Sequence, residues 1–344
     1  MIEIDGSYLE GGGSIIRTAI AFSALTGKPC KITNIRAKRI NPGLRTQHIE
    51  SINAVAELYN AKTKGVEIGS TVVEFHPNKL EKESIKITIP TAGSVGLLLQ
   101  SIFIACVKTK GKIEIEIEGG ATSGKWSAPL NYIKNVLIPI LDKFGYKISI
   151  DIKKYGYYPK GGASVKVTIE SSNIKPIRLT EKGKLLSIHG VSHSSLDLKV
   201  AKVAERQKEA AEKTFYEKLK IKPVIEIKYV NTICTGSAID LYAKTEHSYL
   251  GSDSLGERGK KAELIGKEAS TFLIEQLKSN AAIDEYLEDQ LLPFMAISSI
   301  ETCKESKISV PKLTNHTKTN IWVVEKFLPV KFVITGKIVS CKKI

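Results

Sequence analysis

Residues 11–25, GGGSIIRTAIAFSAL, and residues 91–105, TAGSVGLLLQSIFIA, follow one plan. In each, a Gly-Ser step runs into an apolar helix, and a long polar residue, Arg17 or Gln100, interrupts it about one turn in. A third stretch, HTKTNIWVVEKFL at 316–328, repeats the theme, with Thr319 as the predicted N-cap. A recurring helix of this kind predicts a chain assembled from similar helix-and-strand units. The competing explanation is that capped amphipathic helices resemble one another without shared architecture. Between the helices run short β-branched segments, at 2–5, 30–35, 72–76, 84–89, 112–118, 147–155 and 164–170. The remaining helices are expected over 46–59, 129–144 and 287–299. Alternation of this kind places the chain in the α/β or α+β class.

The texture changes between residues 182 and 279. A strand-like LLSIHGVSH leads into a highly charged helix, LKVAKVAERQKEAAEKTFYEKL. Two strand runs, KPVIEIKYV and SAIDLYAKTE, follow before a second charged helix at 260–277. A β-α-β-β-α order suffices for a small domain. Helices of the earlier kind resume afterwards, so the segment reads as an insertion, with 1–181 and 280–344 forming a larger domain around it. No apolar run approaches the ~20 residues that span a bilayer, so no membrane partner is expected. Five scattered cysteines with no C-x-x-C pair suit free thiols in a reducing, cytoplasmic compartment.

The formal net charge of +15 biases the chain toward polyanions, although a Lys-rich surface also serves solubility. Arginine placement is more informative: Arg17, Arg36, Arg39 and Arg45 fall in one N-terminal stretch, and guanidinium suits phosphate. Gly11 to Gly13 precede a helix start, where free amides favour an anion. The same glycines also suit a tight strand-to-helix turn. No Walker loop and no G-x-G-x-x-G fingerprint is present. In NIRAKRINPGLRTQHIES the basic residues run into Gln47 and His48 at a helix start; a solvated basic loop reads equally well. In YGYYPKGGASVKV, aromatics beside Lys160, Gly161 and Gly162 suit a stacked base and a close phosphate, or simply a hairpin connection. Asp289 and Gln290 open an apolar helix, where carboxylates also serve as caps. His316 alone carries no more weight than any histidine near a helix start.

Taken together, EGGGSIIRTAIAFSALTGKP, NIRAKRINPGLRTQH, GYYPKGG, YLEDQLLPFMA and HTKTNIWVVEKFLPV resemble segments of the RNA 3′-terminal phosphate cyclases, in order and over nearly the whole chain. Five motifs in register make the resemblance specific. It implies a large domain of three repeated units, each with two helices against a four-stranded sheet, and a small inserted domain of thioredoxin-like topology. It implies that His316 attacks the α-phosphate of ATP, giving an enzyme–AMP adduct. AMP then passes to an RNA 3′-phosphate, and the neighbouring 2′-hydroxyl displaces it to leave a 2′,3′-cyclic phosphate, a ligase-type nucleotidyl transfer. Mg2+ or Mn2+ is implied, with Glu10 at the metal and nucleotide. By the same resemblance Arg17, Arg36, Arg39, Gln47, Pro129, Tyr286, Asp289 and Gln290 line the nucleotide site. Arg45, Lys160, Gly161 and Gly162 fall to the RNA phosphate.

The scheme is chemically coherent, because a free imidazole titrates near ~6.5 and offers a neutral nitrogen at pH 7. Two departures stand out: Tyr155 and Ala163 replace a basic residue and a glycine of the family's Gly-rich segment, and Arg45 directly follows Leu44. Two other readings compete. Non-catalytic relatives in ribosome assembly lack the histidine, which is present here. The enolpyruvyl transferases share repeated units but not the inserted segment or the HTKTN run. The oligomeric state is left open.

Overall fold

The computed structural model describes residues 1–344. The first sheet gathers β1 (Ile2–Asp5), β2 (Cys30–Thr33), β3 (Lys62–Lys64) and β4 (Val73–His76), with helices α1 (Gly13–Thr26) and α2 (Thr46–Leu58) between its strands. Its order is β1-β2-β4-β3; β1 and β2 are parallel, and the other pairs antiparallel. Helix α1 ends at Gly27, whose φ of 69° is a left-handed cap that glycine takes without a Cβ clash.

The second sheet has the same arrangement. It contains β5 (Ser84–Ser94), β6 (Ile113–Ala121), β7 (Ile148–Lys154) and β8 (Ser164–Ile169), in the order β5-β6-β8-β7 with only β5 and β6 parallel. Helix α3 (Val95–Ala105) joins β5 to β6. A helix of two pieces, α4 (Leu130–Tyr132) and α5 (Ile138–Lys143) around a π-helical turn at Ile133–Leu137, joins β6 to β7. In β6 the alternation IEIEIE turns Ile113, Ile115 and Ile117 into the core and the glutamates outward, as a half-buried strand requires.

After the two-residue β9 (Arg178–Leu179) come β10 (Leu185–Ser195), α6 (Val203–Leu219), β11 (Val224–Val230), β12 (Ser237–Thr245), β13 (Tyr249–Leu255) and α7 (Ala262–Lys278). They form a separate sheet, β11-β10-β12-β13, with an apolar cluster of 12 buried residues, among them Phe215, Ile239, Leu241 and Leu273. Strand β13 was not expected. Its run Gly251-Ser-Asp-Ser254 carries no apolar alternation, because one face meets Tyr132 and the other bonds helix α7 through Ser252 and Ser254.

The last sheet pairs β9 with β14 (Ser306–Ser309), β15 (Val330–Thr335) and β16 (Ile338–Lys343), interleaved with α8 (Glu288–Thr302) and α9 (Asn315–Phe327). Its order is β9-β14-β16-β15, with β9 and β14 parallel. Helix α9 starts earlier than the sequence implies. The Thr314 hydroxyl, not that of Thr319, accepts the Thr317 N–H at 3.1 Å, so His316 lies inside the first turn. Thr319 is buried and bonds back to the Asn315 carbonyl at 2.7 Å.

A single apolar cluster of 69 buried residues joins the first, second and last sheets and their helices. Through it the chain's two ends meet. The Asn320 Oδ1 atom on α9 accepts from Ser14 Oγ (2.9 Å) and Thr18 Oγ1 (3.0 Å) on α1, while its amide nitrogen lies 3.4 Å from Asp289 on α8. Trp322 stacks on Tyr8 with ring centroids 4.2 Å apart, and Lys28 donates to the Phe327 carbonyl at 2.7 Å. The separate sheet docks through polar groups. Asp240 Oδ2 accepts from Asn131 at 2.7 Å and lies 2.9 Å from His193 Nε2, and His193 Nδ1 meets the Tyr157 hydroxyl at 2.6 Å.

Removing the Asn320 amide leaves two buried hydroxyls without their acceptor, so Asn320→Ala should lower unfolding free energy by roughly 2–3 kcal/mol in denaturant titrations. A loss below about 0.5 kcal/mol, the scale of an ordinary surface substitution, would mean that this bond does not hold the two ends together.

Candidate functional site

Helix α1 opens without a side-chain cap and without an acidic residue in its first turn. Its first amides are therefore free for an anion. Glycine is required at Gly13, the first residue of the helix, where a side chain would run into the His48 ring. A β-carbon at Gly12 would stand 3.4 Å from Arg39 Nη2, and one at Gly13 would stand 2.4 Å from His48 Nε2 and 3.0 Å from Arg17 Nη1. Arg17, Arg39 and His48 thus close on two residues of bare backbone. Arg17 is itself buried, and its Nε donates to Gln100 Oε1 at 2.9 Å. Burial brings its guanidinium down to about 10, opposed by Asp289, and leaves it charged at neutral pH.

His316 arrives at the same place from the other end of the chain. Its Nε2 lies 2.8 Å from Glu10 Oε2, at ion-pair distance but not aligned as a hydrogen bond; that oxygen is buried and has no hydrogen-bond partner. Asp289 lies close enough to feel the charges of His316, Arg17 and Glu10. Burial raises its carboxyl above the ordinary range, against the pull of His316 and Arg17. The Glu288 carboxylate, wholly buried beside it, accepts from the Thr317 hydroxyl and, at 3.4 Å, from the Thr314 N–H. Glu288 therefore fixes the turn that carries His316.

The other expected residues are placed as follows. Arg36, at a φ of 53°, donates to the Asn41 and Gly43 carbonyls at 2.7 and 2.9 Å, so it braces its own loop. Arg45 is the N-cap residue of α2, and Gln47 follows in its first turn. The Gln47 Cβ would be 3.8 Å from a β-carbon on Gly93, at the end of β5. The Lys160–Gly162 loop lies against that same end: a β-carbon on Gly161 would be 2.8 Å from both the Thr91 and Gly120 carbonyls. Tyr155 and Tyr157 are turned inward and packed on His193, which corrects their reading as a base platform; Tyr158 alone is exposed there. Pro129 is the N-cap residue of α4, whose Tyr132 meets half-exposed Tyr286 edge-on at 6.3 Å. Tyr286 also stacks on Phe272, and Gln290 bonds the Tyr286 carbonyl at 2.7 Å.

Glu10, Arg17, Arg39, Asp289 and His316 therefore converge, whereas Arg36 and Gln290 are engaged within their own segments. Sequence reasoning assigned no role to Gln100, Glu288, Asn320 or His48. Gln100 was within reach, since the repeat that pairs it with Arg17 is the repeat whose two polar residues meet. Nothing in the sequence marks His48 out from its neighbours.

A family model described as RTC: RNA 3′-terminal phosphate cyclase matches residues 8–334. The chain belongs to that family. It is an enzyme of this type. A relative from Methanopyrus kandleri named RNA 3′-terminal phosphate cyclase is 43% identical over 98% of this chain and 96% of its own. Those of Thermococcus gammatolerans and Pyrococcus furiosus, of the same name, are 44% and 45% identical, over 98% of this chain and 95% and 96% of theirs. Among solved structures, the enolpyruvyl transferase NikO from Streptomyces tendae aligns over 99% of this chain and 81% of that one, at 8% identity and a TM-score of 0.27, too slight to carry an argument.

Burial pushes the Glu288 carboxyl from its ordinary 4.5 up to about 7. A raised acid favours the folded state in its neutral form, so this contribution is complete below about pH 4.5 and is lost as pH rises through 7. Glu288→Gln keeps the acceptor oxygen but cannot ionise. Its stability relative to the parent should rise by roughly 2 kcal/mol between about pH 5 and about pH 8, read from denaturant midpoints; a pH-independent difference would show that Glu288 titrates normally.

Proposed function

We propose that the chain converts an RNA 3′-terminal phosphate to a 2′,3′-cyclic phosphate at the expense of ATP, with His316 as the nucleophile. The observation that carries this reading is the meeting of His316 Nε2 with Glu10 at 2.8 Å beside Asp289 and the cationic opening of α1. An imidazole nitrogen at that point can attack an α-phosphorus, forming an N–P bond as pyrophosphate leaves. The phosphoramidate then transfers AMP to the terminal phosphate of the RNA, and the adjacent 2′-hydroxyl attacks that phosphate, forming the ring and releasing AMP.

The residues divide the work. Arg17 and Arg39, with the free amides of α1, neutralise phosphate oxygens as charge builds on them. Gln100 holds Arg17 in orientation, and Glu288 with Thr314 and Thr317 fixes the pitch of the His316 ring. Tyr286 and Pro129 would take the nucleoside, and Lys160, Gly161 and Gly162 with Arg45 and Gln47 the RNA end. Arg36 acts by shaping the loop that presents Arg39.

A divalent ion fits Glu10, whose buried Oε2 has no hydrogen-bond partner. Glu10 and Asp289 meet His316 here without forming a three-ligand cage for a cation, so its other ligands would be phosphate oxygens and water, as Mg2+ favours. When bound, it would add positive charge at the phosphates and, by engaging the carboxylate, leave the Nε2 lone pair free.

We further propose the domain division: 1–181 with 280–344 as a body of three βαβαββ units, and 182–279 as a thioredoxin-like insertion. The common strand order of three sheets and the separate apolar cluster of the fourth support it.

Incubation with ATP labelled at the α-phosphate should leave an acid-labile label on the protein, and His316→Ala should abolish it. A label that survives this substitution would overturn the assignment. If the +15 charge serves RNA, affinity for a single-stranded oligonucleotide should fall about tenfold or more between 50 and 200 mM salt. A flat response would leave the charge to solubility.

A further inference from the structure

His48 is buried to 98%, being 2% exposed, yet only one of its two nitrogens is engaged. Its Nδ1 accepts the Arg45 backbone N–H at 3.0 Å, closing the first turn of α2. An acceptor at Nδ1 on a neutral ring puts the hydrogen on Nε2. The ring is neutral: burial, with Arg17, Arg36 and Arg45 nearby, takes it from 6.5 down to about 3. The Nε2–H has no protein acceptor and faces Gly13, where a β-carbon would stand 2.4 Å away. Arg17 Nη1 and Arg39 Nη2 reach the same two glycines, and α1 points its uncapped N-terminus there.

We propose that His48 is a neutral hydrogen-bond donor to a phosphate oxyanion seated on the N-terminus of α1. The inference deepens the reading above, on which it rests only for the source of that phosphate, either the nucleotide or the RNA 3′ end. A neutral donor suits a place already crowded with guanidinium groups. A third or fourth positive charge would repel Arg17 and Arg39 without the anion, whereas an N–H on an uncharged ring adds a bond at no such cost. The glycine at 13 is what lets this nitrogen approach the backbone amides.

Two substitutions separate this role from the capping role. In His48→Asn the side-chain oxygen can replace Nδ1 as acceptor for the Arg45 N–H, but nothing replaces Nε2–H. In His48→Gln the amide nitrogen reaches toward the Nε2 position, while the Nδ1 acceptor is lost. Binding would be measured by calorimetry with inorganic pyrophosphate, and with a short RNA bearing a 3′-phosphate against its 3′-hydroxyl counterpart. These probes need no turnover, so they succeed or fail independently of the His316 labelling.

The expected result is that His48→Asn weakens at least one phosphate probe by about tenfold or more while keeping its thermal midpoint. His48→Gln should retain most of that affinity despite a lower midpoint. Loss with pyrophosphate assigns the subsite to the nucleotide, and loss confined to the 3′-phosphate RNA assigns it to the RNA end. Parent-like binding of both probes by His48→Asn, or equal weakening in both variants, would overturn the proposal and leave His48 as a helix cap.

Discussion

One buried amide holds the two ends of this chain in register. Asn320 accepts from two hydroxyls of α1 and reaches toward Asp289 on α8. A site built from residues 10–17 and 289–316 needs such a joint, because those residues are remote in sequence and the apolar cluster around them is non-directional. Burial draws α1, α8 and α9 together but tolerates small slides between them. A carboxamide with fixed partners does not, since a shift of about 1 Å would strand polar groups in the core. The stacked Tyr8–Trp322 pair and the Lys28 bond to the Phe327 carbonyl, the last of α9, hold the same contact at other points.

The second constraint is electrostatic. Bringing Arg17, Arg39 and a helix N-terminus together concentrates like charge, and the protein offsets it with the carboxylates of Glu10 and Asp289 rather than with solvent. That arrangement costs desolvation, visible in the raised Asp289 carboxyl and the lowered Arg17 guanidinium. Structure alone gives little reason to maintain it. The polyanionic substrate proposed above would supply one, because its phosphate oxygens would complete the set of partners that the resting protein leaves open, among them the unpartnered Glu10 oxygen by way of a cation.

Most of the fold was legible because its signals are local. Apolar alternation in β6 and the Gly-Ser helix starts of α1 and α3 are written in consecutive residues. The failures share a cause as well. Strand β13 buries Gly251, Ser252 and Ser254, so its partners lie outside any window of sequence. Thr314 and Thr319 are equally good caps by composition, and only the backbone path distinguishes them. In the site, Glu10, Arg17 and His316 were marked by their motifs, but the roles of Arg36 and Gln290 in bracing their own segments depend on loop geometry. His48 could not be told from Gln47 without knowing which faced Gly13.

On the roles proposed for them, the two histidines near α1 divide two tasks according to their environments. His48 has a backbone donor at Nδ1, three arginines in its field and almost no water, so its ring is neutral with a fixed tautomer. His316 is half exposed, with a carboxylate at its Nε2 and another behind it. A nucleophile must present a lone pair and then carry a phosphorus, so it needs room and neighbours that tolerate positive charge on the ring. A donor needs neither. Exchanging their surroundings would disable both: an imidazole beside three guanidiniums could not become cationic during attack, and one between carboxylates would have no fixed N–H to offer. The close environment of His48 depends on Gly13 at the start of α1, where the missing β-carbon leaves space for the ring to touch the backbone.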